Sequence, residues 1–218
     1  MDAPDSKRPT GAAADLAPAL RPRSAAARRL IEATIEAIDV AGEGAVRVQE
    51  IADAAGVPIP ILYRHFGNRD GLLQVAQVER LSRALDRELQ ELGAAMDTVV
   101  SDGQFRELFD VVLASLFSIE RRSARWKRIN VIGSTYGRPA LAEAVAAVQS
   151  RAIHQIALVL RGAQQNGWLR PGLDLDAFAA WFAGQTLGRI LIELAPSEVD
   201  EAAWNAISAD AVRHVLLR

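Results

Sequence analysis

The chain has 218 residues, a net charge of −2 and half of its residues hydrophobic, which fits one or two globular domains with a sizeable core and no global field for nucleic acid. It contains no cysteine, which excludes disulfides, thiol nucleophiles, iron–sulfur clusters and cysteine zinc sites, and three histidines (His65, His154, His214) are too few for a histidine-rich metal centre. No run reaches the roughly 18 apolar residues that a membrane helix needs, and the opening segment lacks the apolar stretch of a secretory signal, so a cytoplasmic protein without a membrane partner is expected.

In chain order, residues 1–23 are rich in Pro, Ala, Gly and charge without periodicity, and read as a disordered tail. From Ser24, a plausible N-cap, the period becomes helical: Leu30, Ile31, Thr34, Ile38 and Ala41 recur at three- and four-residue steps, and Gly42 closes the helix. A short helix through Val48, Ile51, Ala52 and Ala55 ends at Gly56, and another covers Ile59 to Phe66. Asn68 can cap a long fourth helix, which carries Leu72, Leu73, Val75, Val78, Leu81, Leu85, Leu89 and Leu92 on one face to about Met96. Further helices are expected over about Gln104 to Arg121, Arg125 to Thr135 and Pro139 to Gln165. Trp168 to Leu173 is a loop; a helix then runs from Asp174 or Asp176 to Leu194, Pro196 ends it, and Ser197 caps the last helix to about Leu217. No stretch alternates as a strand does, so the fold class is all-α.

The informative segment is Val48 to Phe66, VQEIADAAGVPIPILYRHF. Two short helices about a glycine make a helix-turn-helix. Ala52 must be small where the helices cross, Gly56 can take a left-handed conformation, and Ile51, Val57 and Leu62 fill the wedge. The second helix then presents its first residues to a major groove. Tyr63, Arg64, His65 and Arg69 cluster hydrogen-bond donors at its end, and the helix start at Asn68–Asp70 offers backbone N–H groups to an anion.

The stretch from Arg28 to Leu73 resembles the DNA-binding domain of the TetR family of bacterial transcriptional regulators. The likeness rests on the helix Leu30–Ala41 ending at Gly42, on Ile51-Ala52, Ala55-Gly56-Val57, Leu62-Tyr63 and Phe66, and on Arg69 and Leu72-Leu73. It implies phosphate contacts from Tyr63, His65 and Arg69. It also implies base reading by residues 58 to 61, with Pro60 able to touch a thymine methyl. The sequence departs from the family pattern at Val46 and Arg47, where a Ser or Thr often caps the second helix, and at Pro58, Ile59 and Ile61, which replace polar residues or threonine. The turn Pro58-Ile59-Pro60-Ile61 therefore has no side-chain hydrogen-bonding groups. Direct readout falls to Arg47, Gln49 or Arg64, or specificity rests on thymine methyls and DNA shape. The first 73 residues hold nine Lys/Arg and ten Asp/Glu, so the basic residues act by clustering: Arg21, Arg23, Arg28 and Arg29 before the first helix can supplement phosphate contact.

The expected organisation is a tail (1–23), a three-helix DNA-binding domain (24–73) and a larger helical domain (74–218), which the resemblance makes a ligand-binding and dimerisation domain. Small residues (Ala179, Ala180, Ala183, Gly184, Gly188) and apolar ones (Trp181, Leu187, Leu191, Ala203, Ile207, Ala211, Val215) suit the last two long helices to a two-fold four-helix interface in a homodimer. Candidate ligand residues are Phe109, Phe117, Trp126, Tyr136, His154, Trp168, Trp181 and Gln185, since ligand pockets are mostly apolar with a few polar groups. Arg189 and Glu193 can pair at i, i+4. The run Arg121 to Arg128 is the most basic in the chain and suits an anionic head group, DNA or a solvated face. No catalytic, nucleotide or metal motif is present, so neither enzyme chemistry nor a cofactor is expected. The function expected is a regulator released from a palindromic operator on double-stranded DNA by a small molecule. The alternatives are a helical adaptor or a DNA-binding protein without an inducer.

Overall fold

A computed structural model describes residues 24–194 and 198–218. The tail expected over residues 1–23, and Pro196 and Ser197, lie outside them. Among the described residues there are ten α-helices, two short 3-10 turns and no strand. The helices are α1 (Ala25–Ala41), α2 (Val48–Ala55), α3 (Ile59–Phe66), α4 (Arg69–Met96), α5 (Asp102–Leu116), α6 (Arg122–Gly133), α7 (Pro139–Gln165), α8 (Leu175–Gly188), α9 (Ile190–Leu194) and α10 (Glu201–Leu216). None of the described helices is long and apolar enough to cross a membrane. The chain falls into two compact units, one of residues up to Leu81 with Val131–Ala147, the other of Ser82–Asn130 with Val148–Arg218.

In the first unit α1 starts as the sequence predicts. The Ser24 hydroxyl accepts from the Ala27 N–H at 3.2 Å, and the Gly42 N–H closes the helix on the Ile38 carbonyl at 2.9 Å. One face of α1 is buried through Ala27, Leu30, Ile31, Thr34 and Ile38. It packs on a core that includes Ile51, Ala55, Val57, Leu62, Leu72, Leu73 and Ala76. Each large aliphatic side chain so buried contributes about 1.5–3 kcal/mol. Gly71, whose necessity no sequence pattern announced, starts α4 hard against the end of α3. A Cβ there would sit 2.1 Å from the Phe66 carbonyl oxygen.

The second unit centres on Phe105, Leu113, Phe117, Ala157, Leu160, Phe178, Val212 and Leu216. Three helix boundaries differ from expectation. The helix expected to reach Arg121 stops at Leu116, followed by a 3-10 turn over Ile119–Arg121. The helix expected to run unbroken to Leu194 is interrupted at Arg189. One set of contacts accounts for both breaks. Arg125 donates to the carbonyls of Leu116 at 2.8 Å and Ser118 at 2.9 Å, and Arg189 donates to that of Phe117. The terminal carbonyls of α5 are thus satisfied by guanidinium groups instead of a further helical turn. The third difference is the cap of α10, which is Asp200: its carboxylate accepts from the Ala202 and Ala203 N–H groups.

The pair expected between Arg189 and Glu193 exists, at 3.7 Å, but is not a surface pair. Arg125, Arg189 and Glu193 are 5%, 1% and 4% exposed. Glu193 is also ion-paired with Arg125, and Arg189 reaches Glu201 at 2.7 Å. The four side chains tie α6, the α8–α9 region and α10 into one charged cluster, buried except at Glu201.

Candidate nucleic-acid interface and ligand cavity

The helix-turn-helix forms over the segment its sequence marked. Gly56 takes a left-handed conformation (φ 60°, ψ 41°), and the Val57 N–H reaches back to the Ala52 carbonyl at 2.9 Å. Ala52, Ile51, Val57 and Leu62 are all buried. With Leu62 turned inward, α3 leaves Pro60, Tyr63, Arg64 and His65 exposed on its outer side. Ile59 and Ile61 are half-buried, and Pro58 is exposed.

The predicted donors differ in how free they are. Arg47 caps nothing in α2; its guanidinium folds back onto the Gly44 carbonyl at 2.7 Å and the Val46 carbonyl at 3.3 Å. Gln49 is held by the Asp53 carboxylate at 3.0 Å. Asn68 accepts from the Gly71 N–H at 2.8 Å, the cap its sequence position suggested. His65 is hydrogen-bonded to Ser24 at 3.1 Å, fastening the end of α3 to the start of α1. Arg69 is spent inside the unit, donating to the Val46 carbonyl at 2.9 Å and the Glu43 carbonyl at 2.8 Å. Arg29 of the basic cluster donates to the Ala55 carbonyl at 2.9 Å. Arg64 is exposed and has no hydrogen bond or ion pair among the described residues. The backbone sharpens the contrast. Pro58 and Pro60 carry no N–H, and the Ile61 N–H is taken by the Pro58 carbonyl at 2.9 Å. The leading turn of α3 is therefore almost wholly an apolar surface.

The same unit holds a polar brace that the sequence did not reveal. The Glu43 carboxylate accepts from Ser134 at 2.9 Å and from Gln77 at 3.1 Å, and pairs with Arg138 at 2.5 Å. Arg138 also meets Asp70 at 3.1 Å. Burial alone would raise the Glu43 carboxyl, but the hydrogen bonds from Arg138, Gln77 and Ser134 outweigh it and hold the group below its usual value.

The second unit contains a cavity of about 260 Å³. Its wall is mainly aliphatic and aromatic, with residues such as Leu85, Val112, Ile156 and Phe182 drawn from α4, α5, α7 and α8. The polar lining residues are Glu88, Glu91, Ser115, Arg121, Arg128 and Thr186. Glu88 and Arg121 pair with each other at 2.8 Å. Arg128 donates to Gln149 at 2.9 Å, while its Nε is buried with no partner. Burial pushes this guanidinium below its usual pKa, and nearby Glu88 offsets only part of that cost.

Residues 30–76 match the sequence profile of the bacterial regulatory proteins of the tetR family. By sequence, these residues are of the TetR N-terminal type. Whole-chain comparison finds the same helical fold in solved structures. A structure from Mesorhizobium loti MAFF303099, described as a TetR-family transcriptional regulator, is 20% identical with a TM-score of 0.69, over 91% of this chain and 100% of that one. A transcriptional regulator from Saccharomonospora viridis in complex with choline is 21% identical, with a TM-score of 0.65, over 90% of this chain and 100% of that one. The SmeT–triclosan complex is 22% identical, with a TM-score of 0.61, over 89% and 93%. No curated protein matches the chain in sequence.

In the second unit, the cavity is lined by none of the eight candidate ligand residues named from the sequence. Phe109 and Phe117 are core, the latter edge-on to Trp204. Trp168 leans on Phe105 in the same core. Trp126 is half-buried, with an indole N–H that finds no partner. Tyr136 is 95% exposed. His154 is exposed and meets Asp176 at 3.2 Å. Trp181 is exposed, and Gln185 is half-buried. The signal that would have found the cavity was the basic run. Arg121 and Arg128 of that run both line it, while Arg125 between them is buried.

Proposed function

We propose that this TetR-type protein is a ligand-responsive repressor that works as a homodimer. Two copies of α3, held about 34–36 Å apart, would enter successive major grooves and read the halves of a near-palindromic operator. The observation that carries this reading is the outer side of α3: Leu62 is sealed in the core while Pro60, Tyr63 and Arg64 stand free. Tyr63 and Arg64 would grip phosphates, and Pro58, Ile59, Pro60 and Ile61 would meet thymine methyls and groove shape. Arg69, His65 and Asn68 would hold that surface in place through their contacts within the unit.

Dimerisation through α8, α9 and α10 has support in the apolar side chains these helices leave uncovered. Trp181, Leu191 and Ile207 are 37%, 72% and 70% exposed, with Ala180, Gly184, Ala203 and Ala211 exposed between them. An inducer would occupy the cavity of the second unit; solved proteins of this fold hold choline and triclosan. The signal would travel along α4, whose residues belong to both units. Such a ligand shifts the protein only by its differential affinity for the two states.

A mobility-shift titration with DNA flanking the protein's own gene tests the reading. The wild type should shift a palindromic fragment, and Tyr63→Ala and Arg64→Ala should lose the shift while melting normally. Sedimentation should give a dimer that Ile207→Glu dissociates. Retention of the shift in both α3 variants, or a monomer at micromolar concentration, would sink the proposal.

A further inference from the structure

Resting on the reading of the cavity as the effector site, its charges narrow the ligand class. Glu88 and Arg121 neutralise each other within the lining. Glu91 is exposed to solvent. Arg128 is different: it has one side-chain hydrogen bond, to Gln149, an orphaned buried Nε, and no ion pair among the described residues. A guanidinium set against an apolar wall, with Glu88 offsetting only part of its burial and its Nε–H unanswered, is costly, because little solvent screens it. The group that answers it best is a carboxylate, planar and able to accept two parallel N–H bonds. The volume of about 260 Å³ lies near the small end of ligand pockets, roughly 300–1,000 Å³, which favours a compact molecule with a single apolar body.

We infer that the cavity binds a small amphipathic carboxylate, its head group on Arg128 and its apolar body among Leu85, Val112, Ile156 and Phe182. The head group answers the open Nε–H and completes the partial compensation from Glu88, and the body covers the aliphatic wall.

Calorimetry on the full-length, DNA-free protein tests this with three probes of equal chain length: octanoate, octan-1-ol and octyltrimethylammonium. Octanoate should bind at least about 10-fold tighter than octanol, since a charge-assisted contact replaces a neutral one. The ammonium probe should bind weakest. In Arg128→Gln the preference for octanoate should collapse to about 1-fold while octanol affinity stays unchanged, and Arg128→Lys should keep part of the preference. Equal or tighter binding of octanol or the ammonium to the wild type would overturn the inference. So would an unaltered preference in Arg128→Gln, or a loss of octanol binding along with octanoate, which marks a merely structural side chain. Operator release is read separately by mobility shift. Octanoate held through Arg128 without release removes the inducer reading and leaves the ligand class standing. Release by some other ligand, with octanoate silent in calorimetry, does the reverse.

Discussion

Two arginines, one in each unit, show how differently the halves of this molecule use the same side chain. Arg69 is anchored on the Val46 and Glu43 carbonyls; Arg128 lines an apolar cavity with its Nε unanswered. The first arrangement makes a rigid platform, since the guanidinium ties two backbone carbonyls together within the fold. The second leaves a demand that only something from outside can meet. A DNA reader profits from preorganisation, because binding then costs little ordering. An effector site profits from an unsatisfied group, because that group lets a ligand make a difference. The exposed surface of α3 stands between the extremes: its platform is fixed, and of the predicted donors on it Tyr63 and Arg64 lack a partner among the described residues.

The comparison can be broken most severely at Gly71. Gly71→Ala would drive a methyl into the Phe66 carbonyl, 2.1 Å away, and should cost at least about 3 kcal/mol. Urea unfolding should show the first unit melting early, with DNA binding lost. A near-wild-type midpoint would mean that the α3–α4 junction is softer than its geometry states. Next comes the buried cluster of the second unit. Arg125→Met would strand Glu193, which is 4% exposed, and should destabilise by about 3–5 kcal/mol; adding Glu193→Leu should restore much of the loss.

Arginines 69 and 64 separate platform from contact. Arg69→Ala should cost about 1–3 kcal/mol in stability, by leaving two carbonyls without their donor. Arg64→Ala should leave the melting temperature alone and lower the salt slope of operator binding by about one. The opposite pattern would make Arg69 the phosphate contact that the family resemblance implies. The smallest effect concerns Glu43. Its carboxyl is held below the ordinary value of 4.5, so its contribution is present above that pH and is lost as pH falls through the lowered value. Glu43→Gln should flatten this acid limb and cost about 1 kcal/mol at neutral pH.

How much was legible differs between the units for a physical reason. The helix-turn-helix is assembled from neighbours in sequence, so alanine, glycine and aliphatic spacing between Val48 and Phe66 reported its geometry directly. The caps Ser24 and Asn68 could be read for the same reason. The Glu43 brace could not, because Gln77, Ser134 and Arg138 lie 34, 91 and 95 residues away in the chain (138 − 43 = 95). Aromatic side chains misdirected the search for the cavity. Phe109 and Phe117 have the spacing of any buried helical face, and burial is what became of them.

By itself, then, the amino-acid order determined an all-helical chain, the position of its helix-turn-helix and the apolar, proline-bearing front of α3. These follow from interactions within a few turns of the backbone. Tertiary structure alone decided where the helices near Leu116 and Arg189 break, which arginines are spent and which are left wanting, and where the cavity lies. Each of those outcomes depends on a carbonyl, a carboxylate or an empty space contributed by a distant helix, and residue spacing along the chain carries no information about that distance.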